Sequence, residues 1–171
     1  ASYVVVFLDR SDNHYPVAQV RHILIKAVAD SDGSYTDKAK EIAKNRAEEL
    51  LAEFNAGDKT EDSFAELAKD YSEDTGSAEN GGLYDTVYKG ATVEEFDKFC
   101  FEGHKKGDTA IVYGESSSYA GYHVMYYVGE GDLYSNLLAK NDLVNTTVSQ
   151  WVEDQVNALT VTNGWWLRIA G

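Results

Sequence analysis

The sequence is poor in the residues that build disulfide scaffolds, linkers and membrane spans. It has one cysteine, one proline and one methionine among 171 residues. A single cysteine, Cys100, cannot pair within the chain, so a disulfide scaffold is excluded, and one proline excludes a proline-rich linker. The longest apolar run near the start, residues 3–8, is far shorter than the ~20 residues of a membrane helix. The length instead suits one sizeable hydrophobic core, or a smaller domain with an appended segment.

Basic residues are outnumbered by acidic ones. Fifteen Lys and Arg residues against 29 Asp and Glu residues give a formal net charge of −14 at pH 7. This charge repels a polyphosphate backbone, so the sequence predicts no nucleic-acid partner. There is no glycine-rich phosphate loop followed by Lys-Ser or Lys-Thr, and no Gly-x-Ser-x-Gly elbow. Cys100 is predicted on the inner side of a short helix, which leaves covalent catalysis with little support.

The sequence begins at Ala1, and its only methionine is Met125. No basic segment followed by an apolar segment, the pattern of a secretory signal, is present at this end. We therefore interpret the sequence as an excised piece or a mature form. A membrane anchor is expected only in a region that precedes these residues.

Apolar patterns predict two strands and then an amphipathic helix. Residues 2–8 and 17–26 are rich in β-branched and apolar residues, and the polar segment 12–16 separates them like a loop. Apolar residues then recur at three- and four-residue steps between Thr36, the predicted N-cap, and Gly57, predicted to lie past the helix end. The inward positions of this helix are predicted to be Ala39, Ile42, Ala43, Ala47, Leu50, Leu51 and Phe54.

Two capping-box patterns predict shorter helices on either side of a long loop. Ser63 with Glu66 opens one helix, and Thr92 with Glu95 opens the other. Between them, residues 72–90 hold four glycines and little periodic apolar character, so most of this segment is predicted to be irregular. Long ordered loops often carry function. The inward residues are predicted to be Phe64, Leu67, Ala68 and Tyr71 in the first helix and Phe96, Phe99 and Cys100 in the second.

The apolar period changes to two after these helices. Residues 109–113 and 122–128 predict the two strands of a hairpin. A long helix follows, marked by apolar residues between Leu137 and Leu159, and the segment 160–169 carries a pair of tryptophans.

Two histidines lie inside predicted strands. Alternation places His22 on the same face as Val20 and Leu24, and His123 on the same face as Met125. For an isolated strand histidine, a hydrogen-bonded core residue is the simpler interpretation. A zinc site is rejected, because the two remaining histidines occur in polar loops.

An acidic segment from Asp30 to Glu41 has a partial likeness to a calcium-binding loop. Its fifth and sixth positions are Ser34 and Tyr35, whereas the sixth position of such a loop requires glycine. A solvated acidic loop is the favoured interpretation. An unrelated calcium-binding domain remains as a third hypothesis.

An ordered set of motifs is more specific than either histidine alone. The set comprises Val20-Arg-His-Ile-Leu-Ile-Lys26, Phe64-Ala-Glu-Leu-Ala-Lys-Asp-Tyr-Ser72, Gly76-Ser-Ala-Glu-Asn-Gly-Gly82, Lys89-Gly90, residues 96–101 and Gly121-Tyr-His-Val-Met125. In this order the motifs resemble the parvulin-type peptidyl-prolyl cis/trans isomerases, over residues 20 to about 128. The spacing is similar to that of the extracytoplasmic foldase branch, which has an aspartate, here Asp74, where other parvulins have a cysteine.

The resemblance implies a fold and a site. The fold is α+β: a four-stranded antiparallel sheet surrounded by helices, with an appended C-terminal helical segment. His22, Asp74 and His123 would form the polar, catalytic floor of a non-covalent site, and Phe96 would line an apolar cup for proline. The other residues expected to contact substrate are Tyr84, Val87, Thr92 and Tyr122. No metal or cofactor is implied, and the three polar groups lead us to expect an activity that depends on pH between about 5 and 8.

The resemblance also implies a domain division and a class of client. Residues 17–130 are expected to form the isomerase domain, preceded by a strand and linker at 1–16 and followed by a helical extension at 131–171. The clients would be unfolded or partly folded secreted or envelope proteins with Xaa-Pro bonds. The protein would meet them outside the cytoplasm, and a lipid anchor is one means by which it could be attached there. Because Lys26 is followed by an acidic loop and not an arginine-rich one, no preference for phosphorylated clients is expected.

Two departures from the family pattern leave an alternative open. After Gly81 and Gly82 the family usually reads Asp-Leu-Gly and an aromatic pair, whereas this sequence reads Leu-Tyr-Asp-Thr-Val. The position commonly filled by methionine is Thr92. Both changes could shrink or polarise the proline cup. The alternative function is therefore a parvulin-like chaperone or binding module for unfolded polypeptides, with weak or no catalysis.

Overall fold

The computed structural model describes residues 12–158 of the chain. The strand predicted at residues 2–8 and the tryptophan pair in the segment 160–169 lie outside the described residues. Within the described range the chain forms four strands and four α-helices.

The four strands form one antiparallel sheet. They are β1 (Pro16–Lys26), β2 (Leu83–Val87), β3 (Thr109–Glu115) and β4 (Ala120–Leu133). Their order across the sheet is β2-β1-β4-β3, so the two longest strands lie side by side in its centre. The predicted α+β fold with a four-stranded antiparallel sheet is confirmed.

Two helices cover one face of the sheet. They are α1 (Asp37–Ala56) and α2 (Glu61–Tyr71). As predicted, the Thr36 side chain caps α1, and Gly57 follows its last residue. The buried residues of this core are Ile23, Ile25, Ala27, Ala43, Ala47, Leu50, Phe54, Phe64, Ala68, Val124 and Tyr126. Burial of apolar surface, at ~25 cal/mol per Å², holds these helices against the sheet.

Two residues predicted to face this core are exposed instead. Ile42 is 60% exposed and Tyr71 is 38% exposed. The buried stripe of α1 includes the smaller Ala43 and Ala47, which leave room for the helix to approach the strands closely. Periodicity alone does not distinguish adjacent apolar positions such as Ile42 and Ala43.

Neither predicted capping box forms. The capping box of α2 pairs Thr60 with Ser63 through reciprocal hydrogen bonds of 3.1 Å, one turn before the predicted pair. The third helix, α3 (Glu94–Phe101), has no side-chain cap. Thr92, the predicted cap, has a buried Oγ1 atom with no hydrogen-bond partner among the described residues.

Helix α3 packs on the opposite face of the sheet. Phe96, Phe99 and Cys100 are buried, as predicted. The strand residues that join them in a second core are Ala18, Val20, Val87, Met125 and Tyr127. Burial raises the pKa of the Cys100 thiol to about 12, so Cys100 behaves as a core residue and not as a nucleophile.

The segment 72–90, predicted to be mostly irregular, contains β2 and a short 3₁₀ turn at Ala78–Asn80. Strand β2 lies at the sheet edge and pairs with β1. A bulge interrupts this pairing, so the alternation that would indicate a strand is not visible in the sequence.

A fourth helix, α4 (Tyr134–Ala158), forms where the long helix is predicted and begins before Leu137. One compact unit, His14–Tyr134, contains the sheet; Asp12, Asn13 and residues 135–158 belong to a second unit. Within the described residues, none of the helices combines the length and hydropathy required to cross a bilayer.

Gly82 lies at the end of the loop that follows α2, immediately before strand β2. The amide of His22 donates to the Gly82 carbonyl at 2.9 Å. The φ of Gly82 is +69°, and a Cβ atom there would lie 2.1 Å from the His22 carbonyl oxygen. Both the left-handed backbone and the close approach require glycine at this position.

We predict that Gly82→Ala lowers the free energy of unfolding by at least about 2 kcal/mol, because the loop must move away from β1. Gly90→Ala is the matched control: Gly90 has a φ of +81° but open space around its Cβ position. The Gly90→Ala variant should lose only ~1 kcal/mol of unfolding free energy, which is the cost of a left-handed backbone at a residue with a Cβ atom. Urea unfolding at pH 7 measures both, and equal losses would contradict the steric explanation.

Candidate active site

The two strand histidines lie on one face of the central strands. In the register of β1 and β4, His22 is opposite Met125 and Leu24 is opposite His123. The histidines are therefore diagonal neighbours on the α3 side of the sheet. Both are almost fully buried, with 1% and 4% of their surface exposed. Their Nδ1 atoms are 3.1 Å apart, which is hydrogen-bond distance.

The loop that follows α2 places Asp74 beside this pair. Strand β2 pairs with only the first part of β1, so the rest of that edge is free to bind the loop. The Leu24 amide donates to Ser72 Oγ at 3.1 Å, and the Leu24 carbonyl accepts from the Glu73 amide at 2.8 Å. The next residue, Asp74, then lies with Oδ2 3.0 Å from Nε2 of His22.

Asp74 accepts hydrogen bonds on both carboxylate oxygens. Oδ2 accepts from the Ser77 hydroxyl at 2.5 Å and the Tyr84 hydroxyl at 3.0 Å, in addition to His22. Oδ1 accepts from the Gly76 amide at 3.2 Å. The hydrogen bond from His22 is the largest of the effects that hold the pKa of Asp74 well below its usual range. Asp74 is therefore ionised at neutral pH.

His123 is held in its neutral form. Burial first, and the neighbouring His22 second, lower the pKa of His123 to about 3. On the other side of the ring, the Tyr119 hydroxyl lies 2.9 Å from Nε2. Burial also raises the pKa of Tyr119, so its hydroxyl keeps the proton that it can donate.

The hydrogen-bond pattern assigns the ring protons. Because ionised Asp74 can only accept, Nε2 of His22 carries a proton. When His22 is neutral, its Nδ1 is an acceptor and receives the Nδ1 proton of His123. Nε2 of His123 is then an acceptor for Tyr119. Every donor in this chain of contacts points toward Asp74.

Aromatic rings border a cleft above the network. The Phe96 ring lies edge-on to the rings of His22 and His123, at centroid distances of 5.4 and 5.3 Å. The Tyr84 ring lies 4.6 Å from that of His22. Burial first, and the charge of Asp74 second, raise the pKa of Tyr84 to about 12. The cleft has a volume of about 350 Å³ and is lined by His22, Tyr84, Ala91, Thr92, Val93, Phe96, Tyr119 and His123.

The structure brings most of the predicted site residues together. His22, His123, Phe96, Tyr84 and Thr92 line the cleft, and Asp74 is hydrogen-bonded to His22 beside it. Val87 lines a neighbouring hollow and not the cleft itself.

Tyr122 does not line the cleft, contrary to the prediction. Successive strand residues point to opposite faces of a sheet, so Tyr122 and its neighbour His123 lie on different faces. Tyr122 packs against the core on the α1 side, and its ring centroid is 5.2 Å from that of Tyr113.

Two members of the network, Ser77 and Tyr119, are outside the set that the sequence predicts. Ser77 is 3% exposed, and its amide donates to the Asp74 carbonyl at 3.1 Å. Asp and Ser three residues apart in a glycine-rich segment are a turn signal that could have located Ser77. Tyr119 lies in the turn before β4, and nothing in the sequence distinguishes it from the other tyrosines.

A family model described as "PPIC-type PPIASE domain" matches residues 5–128, which include all the site residues described above. The chain belongs to this parvulin-type peptidyl-prolyl isomerase family. The hypothesis of an unrelated calcium-binding domain is therefore wrong. In the structure the acidic segment begins with a turn, closed by a 2.8 Å hydrogen bond from the Asp30 amide to the Ser34 carbonyl, and Glu41 belongs to α1.

Several proteins named as foldases are similar to this parvulin chain. Foldase protein PrsA of Staphylococcus aureus is 35% identical over 139 residues, which are 81% of this chain and 40% of the relative. Foldase protein PrsA 3 of Bacillus anthracis is 29% identical over 159 residues, which are 88% of this chain and 48% of the relative. The chain thus spans less than half the length of either relative.

A solved structure supports the fold. The crystal structure of peptidylprolyl isomerase PrsA from Bacillus anthracis matches with a TM-score of 0.50 at 24% identity. The match covers 89% of this chain and 64% of that one. At this identity the likeness shows a shared fold.

The pH dependence expected from the sequence cannot come from two of the three polar groups. The pKa of His123 is about 3, and that of Asp74 is below its usual range. Neither group changes its protonation between about pH 5 and 8.

We predict the Nε2–H tautomer for His22 and the Nδ1–H tautomer for His123, because Asp74 accepts at one end of the network and Tyr119 donates at the other. Long-range ¹H–¹⁵N correlation NMR at pH 7 distinguishes the tautomers. Tyr119→Phe removes the donor at Nε2 of His123 and should populate a second tautomer there. The reverse tautomers in the native chain, or no change in Tyr119→Phe, would contradict the network.

We predict that the free energy of unfolding falls as the pH is lowered from about 6.5 toward 3. The pKa of His123 is about 3 in the folded state and about 6.5 in the unfolded state. Between these two pH values the unfolded state binds a proton that the folded state does not, so a lower pH favours unfolding. His123 then contributes a slope of up to about 1.4 kcal/mol per pH unit. Below about pH 4, protonation of Asp74 adds to the loss.

Urea unfolding at half-unit pH steps measures this slope in the native chain and in His123→Gln. The variant should have a flatter profile between pH 6.5 and 4, whatever its stability at pH 7. His104→Gln removes a histidine outside the cleft and serves as the control. An unchanged slope in His123→Gln, or the same flattening in the control, would refute the assignment to His123.

Proposed function

We propose that the chain is a peptidyl-prolyl cis/trans isomerase that forms no covalent intermediate. One observation carries this proposal: the hydrogen-bonded network of Asp74, His22 and His123 lies directly beneath an apolar cleft. The cleft lining contains no thiol, since Cys100 is part of the core. Rotation about a peptide bond needs no nucleophile, because no bond to substrate has to form.

The barrier to this rotation arises from amide resonance and is ~18–20 kcal/mol. In the planar amide, resonance places partial negative charge on the carbonyl oxygen and partial positive charge on the nitrogen. In the twisted amide this charge separation is lost. A site accelerates isomerisation when it binds the twisted form better than the planar one.

The charges beneath the cleft favour the twisted form. The hydroxyl protons of Tyr84 and Tyr119 are committed to Asp74 and His123, so their oxygens offer acceptors to the cleft. Asp74 adds a full negative charge below them. When the carbonyl oxygen of the residue before proline is held over this floor, the planar amide is the less favourable form, because its oxygen is the more negative. The Phe96 ring offers an apolar surface for the pyrrolidine ring.

We further propose the client class, location and domain division that the family resemblance implies. The clients are unfolded or partly folded polypeptides with Xaa-Pro bonds, and the relatives named as foldase proteins support this class. Residues 17–130 form the isomerase domain, between the segments 1–16 and 131–171. The protein works outside the cytoplasm, with any lipid anchor supplied by a preceding region.

Exchange NMR on Xaa-Pro peptides tests the proposed activity without a coupling protease. We predict that catalytic amounts of the native chain accelerate cis/trans exchange. Asp74→Ala and His123→Ala should each lower the catalysed rate at least tenfold, or about 1.4 kcal/mol of transition-state stabilisation. Asp62→Ala removes an exposed carboxylate from the first turn of α2 and should leave the rate unchanged.

The same experiment distinguishes the alternative function. Peptide binding without faster exchange would select the chaperone or binding module over the isomerase. A native rate in both Asp74→Ala and His123→Ala would show that the network takes no part in catalysis.

A further inference from the structure

A second hollow opens from the cleft along the edge strand β2. Its volume is about 370 Å³. It shares Tyr84, Ala91 and Thr92 with the cleft, so the two hollows adjoin, and together they are called the groove. A client chain whose proline occupies the cleft has to continue across the adjoining surface. The second hollow is therefore positioned to receive a residue next to that proline.

A β-bulge places Asp85 at this hollow. Tyr84 pairs with Val20 and Val87 pairs with Ala18, so two residues of β2 oppose a single residue of β1. Val87 is 2% exposed and anchors the far end of the bulge in the core. Asp85 is exposed and lines the groove. Bulges next to sites commonly redirect a side chain in this way.

Asp85 is the one carboxylate among the described residues that line the two hollows. The Thr86 hydroxyl donates to it at 3.0 Å. Across residues 12–158 it takes part in none of the ion pairs that the side chains form. Its charge is thus available to a bound peptide.

The lysines closest in sequence to the groove are occupied elsewhere. Lys98 forms ion pairs within α3, with Glu94 at 2.9 Å and Glu95 at 2.8 Å. Lys89 lies over the ring of Tyr15, 4.8 Å from its centroid. Among the described residues that line the groove there is thus no lysine, whereas Asp85 lines it, and the ionised Asp74 is hydrogen-bonded to its lining residues Gly76 and Tyr84.

We propose that Asp85 is a specificity-determining residue that selects client segments with a Lys or Arg side chain beside the proline. The inference rests on the proposed isomerase activity and adds its substrate class. Since Asp85 is exposed, the preference is about two- to fivefold over an uncharged side chain, the size of a solvent-exposed ion pair.

The net charge of −14 could also attract cationic peptides. The net charge and the single carboxylate of Asp85 act over different distances. At 0.15 M salt the Debye length is ≈ 8 Å, so one exposed carboxylate acts only on charges close to it. A long-range field favours a lysine at any position of the peptide. A single carboxylate in the groove favours it at one or two positions on one side of the proline.

The test uses peptides with one Lys, Glu or norleucine at each of the three positions before and after a single proline. Exchange NMR at 0.15 M salt gives the catalysed rate for each peptide with the native chain, Asp85→Asn and Asp62→Asn. Asp62→Asn is the matched control, because it removes the same charge from the exposed start of α2.

We expect a two- to fivefold preference for Lys over norleucine at one or two adjacent positions with the native chain and the control. In Asp85→Asn this preference should vanish while the norleucine peptides keep their rate. A preference that survives in Asp85→Asn, is equal at all six positions, or falls equally in Asp62→Asn would overturn the proposal.

Failure of the proposed function gives a different result, in which no peptide exchanges faster with the native chain. The Kd values of the same peptides, from ¹H–¹⁵N shift titrations, then decide the role of Asp85. A position-dependent Lys preference that Asp85→Asn abolishes would support a groove selective for cations. Equal Kd values for the Lys and norleucine peptides would overturn it.

Discussion

The hydrogen bond between Asp74 and His22, 3.0 Å long, is the contact on which the site depends. It joins a loop to the central strand β1, and through His22 it orients His123 and then Tyr119. A carboxylate beside an apolar cleft is costly to desolvate unless donors surround it. Here both oxygens accept hydrogen bonds, so the charge is stable and the ring protons have defined positions. The electrostatic character of the cleft follows from this single ionised group.

The fold stabilises this contact in the absence of substrate. The loop is attached to β1 at the backbone of Leu24, and the Arg21 guanidinium donates to the carbonyls of Asn80 and Gly81 at 2.9 and 3.0 Å. Arg21 also pairs with Glu61 at 3.1 Å, which connects the loop to the start of α2. Fixed dipoles of this kind can favour one charge distribution in a bound amide without reorganising.

Much of this arrangement could be predicted from the sequence, and the exceptions have physical reasons. Alternation and the ordered motifs located His22, His123 and Asp74, and the same alternation would have excluded Tyr122. The hydrogen bond between Tyr119 and His123 could not be predicted, because it depends on how the β3–β4 turn folds back over the strand. Strand β2 could not be predicted, because its bulge interrupts the alternation of apolar and polar residues. The capping boxes could not be placed correctly, because several Ser and Thr residues lie near each helix start.

The catalysed exchange rate of Asp74→Asn tests the central claim most directly, since this change removes the charge and keeps the shape. An amide has one acceptor oxygen, whereas Asp74 accepts on Oδ1 from Gly76 and on Oδ2 from His22. We predict a folded variant, with a native-like ¹H–¹⁵N spectrum, whose catalysed exchange of Xaa-Pro peptides is at least tenfold slower. Native-like exchange in a variant with that spectrum would contradict the view that an ionised Asp74 drives the site.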